Sequence, residues 1–145
     1  MKIRVVFDTN IYISAAITPS GRLNLWLDIA ASSESALDLY VSEEILAEVR
    51  EKLVEKFGLA ESKVDGFLTD TRSIATIVEP AERVRVIASD PDDNMVVECA
   101  LAARANLVVS ADPDVYSIVE YRGIGFCHPR ELPNIFRQDM EKHSP

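Results

Sequence analysis

The 145-residue chain has the composition of an ordinary globular protein, with 48% hydrophobic and 27% charged residues, and it is long enough to build one hydrophobic core. Its net charge of −9 disfavours a passive nucleic-acid coat, because such proteins present a broad basic face to the phosphates. The sequence contains no run of eighteen apolar residues, so it predicts no membrane span. Asp8 interrupts the apolar stretch that an N-terminal signal peptide would need, and we therefore expect a cytoplasmic protein.

Short apolar runs rich in β-branched residues alternate with helical patterns along the chain. The predicted strands are residues 3–7, 37–41, 75–78, 107–109 and 124–127. The predicted helices are residues 9–16, 23–30, 43–54, 64–71, 94–103 and 115–119, with a last one beginning near Pro129. Strands separated by helices form parallel βαβ units, so we expect an α/β fold, a three-layer helix–sheet–helix sandwich with a central, mainly parallel sheet. No linker or repeat divides the chain, which predicts one domain over residues 1–140 and a flexible tail at 141–145.

The two cysteines, Cys99 and Cys127, lie among apolar residues and outside any CxxC pair. A zinc site needs clustered thiolates, and a structural disulfide is disfavoured in a reducing cytosol. We therefore predict two buried free thiols.

Two acidic residues follow predicted parallel strands. Asp8 comes directly after the first strand, and Asp112 comes shortly after the strand at 107–109. In open parallel sheets ligands gather beyond the carboxyl ends of the strands, so both acids lie where a site is expected. Asp112 precedes Pro113 and is also a good helix N-cap. Asp8 has few structural explanations, because an acid that ends a buried strand is costly without a partner.

Two further acids belong to predicted helices. Asp93 lies at the start of a helix, whose N-terminal dipole tolerates negative charge, but Asp90 and Asp92 compete with it and all three suit a turn or cap. Glu48 lies beside the apolar stripe of the helix that Ser42 caps, where a carboxylate is costly unless it is paired or bound to a metal. A solvated position is the alternative for Glu48. The four acids together carry more weight than any single one.

Four carboxylates in one place need cations. Two carboxylates about 6 Å apart repel each other by roughly 3 kcal/mol at an effective dielectric constant of about 20. No His or Cys accompanies the four acids, and such hard oxygen ligands favour Mg²⁺ or Mn²⁺ over zinc. A bound metal that activates water and stabilises the attacking and leaving oxygens indicates phosphodiester hydrolysis. Bound metal also removes the repulsion between an acidic site and phosphate, which makes the net charge compatible with a nuclease.

Segments along nearly the whole chain resemble, in order, the motifs of PIN domains. The segments are residues 5–10 (VVFDTN), 42–49 (SEEILAEV), 90–94 (DPDDN) with 100–102 (ALA), and 108–114 (VVSADPD), followed by 123–124 and the helix that starts near Pro129. Each motif alone is weak, whereas the ordered set is specific. The chain is most similar to prokaryotic PIN proteins classed as VapC-like toxins of type II toxin–antitoxin systems.

The resemblance implies a role for each residue of the predicted site. Its catalytic metal ligands would be Asp8, Glu48, Asp93 and Asp112, with Asp114 as a secondary or water-mediated metal ligand. Asn10 and Ser110 would orient these ligands through hydrogen bonds. Ser110 and Ala111 stand where the family usually has Thr followed by Gly or Ser, and since serine keeps the hydroxyl we expect activity to survive.

The activity implied by the resemblance is that of a Mg²⁺- or Mn²⁺-dependent endoribonuclease acting on single-stranded or structured RNA. The implied assembly is a homodimer with an antitoxin protein as partner. Arg22 is a candidate contact for substrate phosphate, with a solvated position as the alternative. Two other hypotheses about the function stay open. One is a catalytically inactive PIN-like adaptor domain, and the less favoured one is a haloacid-dehalogenase-like phosphatase, whose motif needs an acid where this chain has Asn10.

Overall fold

One sheet forms the centre of the computed structural model, which describes residues 2–18, 20–32, 36–88 and 90–142, without the side chains of residues 22, 23, 25 and 138–142. Its strands are β1 (Ile3–Phe7), β2 (Leu37–Val41), β3 (Thr76–Ile77), β4 (Leu107–Val109), β5 (Glu120–Tyr121) and β6 (Ile124–Cys127). Their spatial order is β3-β2-β1-β4-β6-β5, and every neighbouring pair is parallel except β5 and β6.

Helices join and flank the strands. They are α1 (Thr9–Ile17), α2 (Arg22–Ala31), α3 (Glu43–Glu51), α4 (Glu61–Ile74), α5 (Asn94–Ala103), α6 (Pro113–Tyr116) and α7 (Leu132–Lys142). A π-helical turn, Lys52–Lys56, continues α3, and 3₁₀ turns at Pro91–Asp93 and Pro129–Glu131 precede α5 and α7. This arrangement confirms the predicted α/β class with a mainly parallel sheet. Within the described ranges, no helix is both long and apolar enough to cross a membrane.

β1 occupies the middle of the sheet because its apolar run can be buried on both faces. Val5, Val6 and Phe7 are fully buried, and β2 and β4 pair along the two edges of the strand. Burial of one such side chain contributes about 1.5–3 kcal/mol to folding. α5 packs across β1, β2 and β4, whereas α1 packs against α2 and α3.

The carboxyl ends of three parallel strands lie side by side. Phe7 of β1 is in register with Val109 of β4, which is in register with Cys127 of β6. The ladder continues one residue further, because the Asp8 N–H donates to the Val109 carbonyl at 2.9 Å and the Ser110 N–H donates to the Cys127 carbonyl at 3.0 Å. Asp8 and Ser110 therefore become neighbours at the edge where the sequence predicts the site.

Residues 78–88 form neither helix nor strand and are held against the rest of the fold by a buried side chain of α5. Glu98 accepts a hydrogen bond from the Val84 N–H at 2.9 Å and forms an ion pair with Arg83 at 2.8 Å. Arg83 also pairs with Glu44 on α3 at 2.7 Å. The carboxylate thus satisfies a backbone donor that has no partner in the sheet.

The structure differs from the sequence prediction in the C-terminal third. The short helix is Pro113–Tyr116 rather than residues 115–119, because the Asp112 side chain caps it and Pro113 opens it. β5 is absent from the prediction, since a two-residue edge strand carries no periodicity. The turn between β5 and β6 uses left-handed backbone at Arg122 and Gly123, with φ of 51° and 85°. α7 extends to Lys142, and residues 143–145 of the predicted tail lie outside the described residues.

Candidate metal centre

Asp8 stands at the junction of β1 and α1 and is only 7% exposed. Its Oδ1 accepts a hydrogen bond from the Thr9 N–H at 2.8 Å, so Asp8 is the N-cap of α1. Its Oδ2 accepts from the Ser110 hydroxyl at 2.6 Å and from the Asn10 side-chain amide at 3.5 Å. These donors fix the carboxylate in one orientation, and Oδ1, which accepts a single hydrogen bond, keeps a lone pair for a cation.

Ser110 connects Asp8 to Asp112. Its hydroxyl donates to Asp8 and accepts from the Asp112 N–H at 3.0 Å, and the residue is fully buried. Asp112 Oδ1 accepts from the Asp114 N–H at 3.0 Å, which is the cap of α6. The capping role suggested by the sequence is therefore real, and it uses Oδ1, so that Oδ2 can serve a cation. Asp114 contributes its backbone amide to this turn and has an exposed side chain, so its role as a secondary ligand stays a prediction.

Asn10 also spans the two strand ends. Its Nδ2 donates to Asp8 at 3.5 Å, and its Oδ1 accepts from the Ala111 N–H at 3.4 Å. Both contacts are at the long limit of hydrogen bonding and are individually weak. The side chain nevertheless lies against Asp8, as the orienting role requires. An amide here donates to the carboxylate, whereas the acid of a haloacid-dehalogenase-like motif would repel it.

Glu48 approaches the same edge from α3. Ser42 caps this helix by accepting from the Ile45 N–H at 3.3 Å, as predicted. The Glu48 side chain is 18% exposed, and its Oε1 lies 2.7 Å from Lys52 Nζ. Glu48 is therefore a half-buried, ion-paired carboxylate and not a fully solvated helix residue.

The acids before α5 have different surroundings. The Asp90 side chain accepts from the Asp92 N–H at 3.0 Å and so closes the 3₁₀ turn, while Asp92 is exposed. Asp93 is half-buried, and in the described structure its side chain makes no capping bond to α5. Of the three competing acids, Asp93 thus has the carboxylate that is both partly desolvated and not engaged in the turn.

Asn94, the residue after Asp93, fixes the chain that leads to it. The Asn94 Oδ1 accepts from the N–H groups of Val86 and Ile87 at 2.9 and 2.8 Å. Its Nδ2 donates to the carbonyls of Ile87 and Pro91 at 2.9 and 3.2 Å. A side-chain amide can donate twice and accept twice, so this buried residue uses its full capacity to hold the turn in place.

The carboxylates are close enough to perturb one another electrostatically. Burial raises the pKa of Asp93 to about 6, and the negative charges of Asp8, Asp90, Asp112 and Glu48 add to this increase. Burial also raises the pKa of Asp8, against the lowering effect of its hydrogen bonds, and Glu48 and Asp112 raise it further. Acids from the end of β1, from α3, from the turn before α5 and from the loop after β4 therefore share one electrostatic environment, as in a site that binds cations.

The donor set suits a hard divalent cation. It consists of carboxylate oxygens, which Mg²⁺ and Mn²⁺ prefer. Among the described residues, no three Asp, Glu, His or Cys side chains already lie at ligand spacing. Cys99 and Cys127 are buried free thiols, as predicted, and burial raises the pKa of each to about 12, so neither offers a thiolate.

Two basic residues bear on the site differently. Arg22, the candidate phosphate contact, opens α2, but its side chain lies outside the described residues. Lys52 instead contributes a cation beside the acids, and sequence reasoning missed it. The available signal was the spacing of Glu48 and Lys52, four residues apart in the favoured Glu-to-Lys order on a helix.

Asp8 and Asp112 lie at the carboxyl edge of the parallel strands, where ligands gather in α/β domains of this kind. Residues 4–114 of the chain match the family model described as PIN domain. Over an alignment 150 positions long, the chain is 31% identical to the uncharacterized protein MJ1680 of Methanocaldococcus jannaschii, and the alignment covers 98% of this chain and 94% of that one. The chain therefore belongs to the PIN domain family, whose members are generally nucleases that use divalent metals.

A solved structure supports the fold. A chain in the crystal structure of VapBC2 from Rickettsia felis bound to a DNA fragment from their promoter matches with a TM-score of 0.63. The match covers 87% of this chain and 98% of that chain, at 13% sequence identity. At such low sequence identity, the match supports the fold and assigns no role to any residue. The family match favours a nuclease over a haloacid-dehalogenase-like phosphatase.

Proposed function

We propose that this protein is a metal-dependent endoribonuclease that hydrolyses phosphodiester bonds of single-stranded or structured RNA. The observation that carries the proposal is the shared electrostatic environment of Asp8, Glu48, Asp93 and Asp112, which come from four separate elements. These four residues would hold Mg²⁺ or Mn²⁺. Membership of a nuclease family and the oxygen-only donor set both support this assignment.

The chain's own residues would prepare the site before any substrate arrives. Ser110 and the Thr9 N–H hold the Asp8 carboxylate, and the Asn94 amide fixes the turn that carries Asp93. When bound, a divalent ion supplies an activated water and stabilises the charge that develops on the phosphate oxygens. The polypeptide supplies the orientation of its carboxylates, which costs no reorganisation during the reaction.

The decisive experiment is cleavage of single-stranded RNA in the presence of Mg²⁺ or Mn²⁺. Wild-type protein is expected to cut, and EDTA is expected to abolish cutting. Asp8→Asn should lower the cleavage rate by about a hundredfold or more, since it removes a charged ligand from the site. Asp70→Asn is the matched control, because Asp70 is exposed on α4 and belongs to no part of the cluster.

Three outcomes separate the alternatives. If wild-type protein cuts none of the RNAs tried with either metal, the hypothesis of a catalytically inactive adaptor domain replaces that of a ribonuclease. If Asp8→Asn cuts as fast as wild type, the site is wrong even though the activity is real. Cleavage of a DNA strand of the same sequence at the same rate would contradict the restriction to RNA, whose 2′-hydroxyl distinguishes the two substrates.

We further propose that the ribonuclease is the toxin of a toxin–antitoxin pair and acts as a homodimer. The support is the resemblance to VapC-like proteins and the fold match to a chain from the Rickettsia felis VapBC2 structure. A short DNA-binding protein encoded immediately upstream that forms a complex with this chain and suppresses cleavage would support the first part. Sedimentation analysis at micromolar concentration tests the second, and a monomer at all concentrations would contradict it.

A further inference from the structure

Lys52 occupies a position that an ordinary surface lysine does not. Its Nζ lies 2.7 Å from Glu48 Oε1, and the Glu48 side chain is only 18% exposed. The Lys52 side chain itself is 46% exposed and is therefore partly open to solvent. A pair between two solvated groups on one helix would contribute little, but here the acid is partly withdrawn from water.

The electrostatic environment of the ammonium also includes acids that are remote in sequence. Besides the ion pair with Glu48, the negative charges of Asp8 and Asp93 act on the Lys52 ammonium. Asp8 lies at the end of β1, and Asp93 precedes α5. Lys52 therefore pairs directly with one proposed metal ligand and lies within electrostatic range of two others.

The backbone around Lys52 is irregular in a way that fits this position. The Lys52 N–H is shared between the carbonyls of Glu48 and Val49, and the Phe57 N–H donates to the Lys52 carbonyl, five residues back. α3 thus widens into the π-helical turn at the residue that faces the acids. Such turns are rare and occur frequently at functional sites. Leu53, the next residue, remains fully buried, so the turn is anchored in the core.

We propose that Lys52 is the resident counter-ion of the carboxylate cluster, and that a divalent cation binds Glu48 only after it displaces the Lys52 ammonium. The inference rests on the proposed metal site and adds a residue that limits its affinity. In the metal-free protein, one positive charge offsets part of the repulsion among Asp8, Glu48 and Asp93. On metal binding the ion replaces that charge, and the lysine side chain is released towards solvent.

The proposal predicts opposite effects on two properties. Lys52→Met removes the competitor, so Mn²⁺ should bind about three- to fivefold more tightly, the upper range expected for losing one partly exposed ion pair. The same variant lacks the counter-ion, so its melting temperature in EDTA should fall by about 2–5 °C. A lysine with only a structural role would lower the melting temperature without tightening metal binding.

The experiment is Mn²⁺ titration by calorimetry, with melting curves in EDTA, on wild type, Lys52→Met and Lys52→Arg. Lys52→Arg keeps the positive charge and should bind Mn²⁺ within about twofold of wild type. The matched control is Lys56→Met, which removes the same charge from the same turn, where the Lys56 ammonium lies 5.8 Å from the Phe57 ring centroid. This control should leave Mn²⁺ affinity unchanged.

The outcomes separate this inference from the proposed function. Mn²⁺ affinity in Lys52→Met equal to or weaker than that of wild type, with binding still abolished by Asp8→Asn, overturns the role of Lys52 and leaves the metal site standing. An equal gain in Lys56→Met also overturns it, since net charge alone would then explain the effect. Wild-type protein that takes up no Mn²⁺ overturns the metal site and the inference together.

Discussion

The Ser110 hydroxyl donates to Asp8 Oδ2 at 2.6 Å, although the two residues are 102 positions apart in the chain. The bond exists because β1 and β4 pair in parallel and end in register, Phe7 opposite Val109. The same hydroxyl accepts from the Asp112 N–H, so one side chain positions two of the proposed ligands. The orientation of the site therefore depends directly on the register of the sheet.

Ser110→Ala should destabilise the protein by about 1.5–3 kcal/mol, the cost of losing a buried hydrogen bond to a charged group. Urea unfolding of wild type and variant in EDTA measures the difference. Ser110→Thr keeps the hydroxyl and should retain most of the stability, while Ser73→Ala removes an exposed hydroxyl and serves as the control. A loss in Ser110→Ala no larger than in Ser73→Ala would show that the Asp8 bond contributes little.

The sequence predicts the central strands well because burial on both faces leaves a plain signal. The bounds of β1, β2, β4 and β6 agree with the predicted strands, and the Asp8 and Asp112 positions follow from the strand ends alone. The proposed ligands Glu48 and Asp93 depend mainly on the family resemblance. Neither residue follows a strand, and helical or turn positions for acids are common without any function.

Other features of the site are invisible in the sequence because they depend on contacts between remote residues. Asn94 satisfies four backbone groups, yet an Asn after three acids indicates only a turn. Lys52 belongs to a familiar Glu-to-Lys spacing, and only the packing of α3 against α1 and α5 brings it near Asp8 and Asp93. The π-helical turn that carries it leaves no mark in the hydrophobic period.

Asp93→Asn should stabilise the metal-free protein at neutral pH while weakening its response to metal. The pKa of Asp93 is about 6 in the folded protein against an ordinary value of 3.8, so the folded state binds this proton more tightly than the unfolded state does. The resulting stability is complete below about pH 4 and is lost as the pH rises through about 6. At pH 7.5 the ionised carboxylate opposes folding, and the neutral amide removes that opposition.

Melting curves in EDTA between pH 4 and pH 8 test this. The melting temperature of Asp93→Asn should exceed that of wild type at pH 7.5, and the excess should shrink towards pH 4. Asp92→Asn is the control, since Asp92 is exposed and lies beside the same turn. Equal behaviour of the two variants across the pH range would contradict the raised pKa that burial and the neighbouring charges give Asp93.

Asn94→Ala should release the segment before Asp93 and destabilise the protein by about 2–4 kcal/mol, because buried backbone groups lose their partners. The specific readout is hydrogen exchange, in which the Val86 and Ile87 amides should lose protection. Asn134→Ala changes an exposed asparagine on α7 and controls for the substitution itself. Unchanged protection at both amides would mean that the Asn94 side chain does not hold the segment.

Arg83→Met should lower the melting temperature because it leaves the nearly buried Glu98 carboxylate, 6% exposed, without its cation. The loss of stability comes from leaving a buried carboxylate unpaired and not from losing the attraction of the pair itself. Adding Glu98→Gln should therefore restore most of the lost stability. Glutamine keeps an acceptor for the Val84 N–H, which the carboxylate serves in wild type. Arg122→Met removes a half-exposed pair with Glu82 and should change the melting temperature little. If the double variant is as unstable as the sum of the two single variants, the stranded carboxylate is not the cause, and the loss of Arg83 acts through its contact with Glu44 instead.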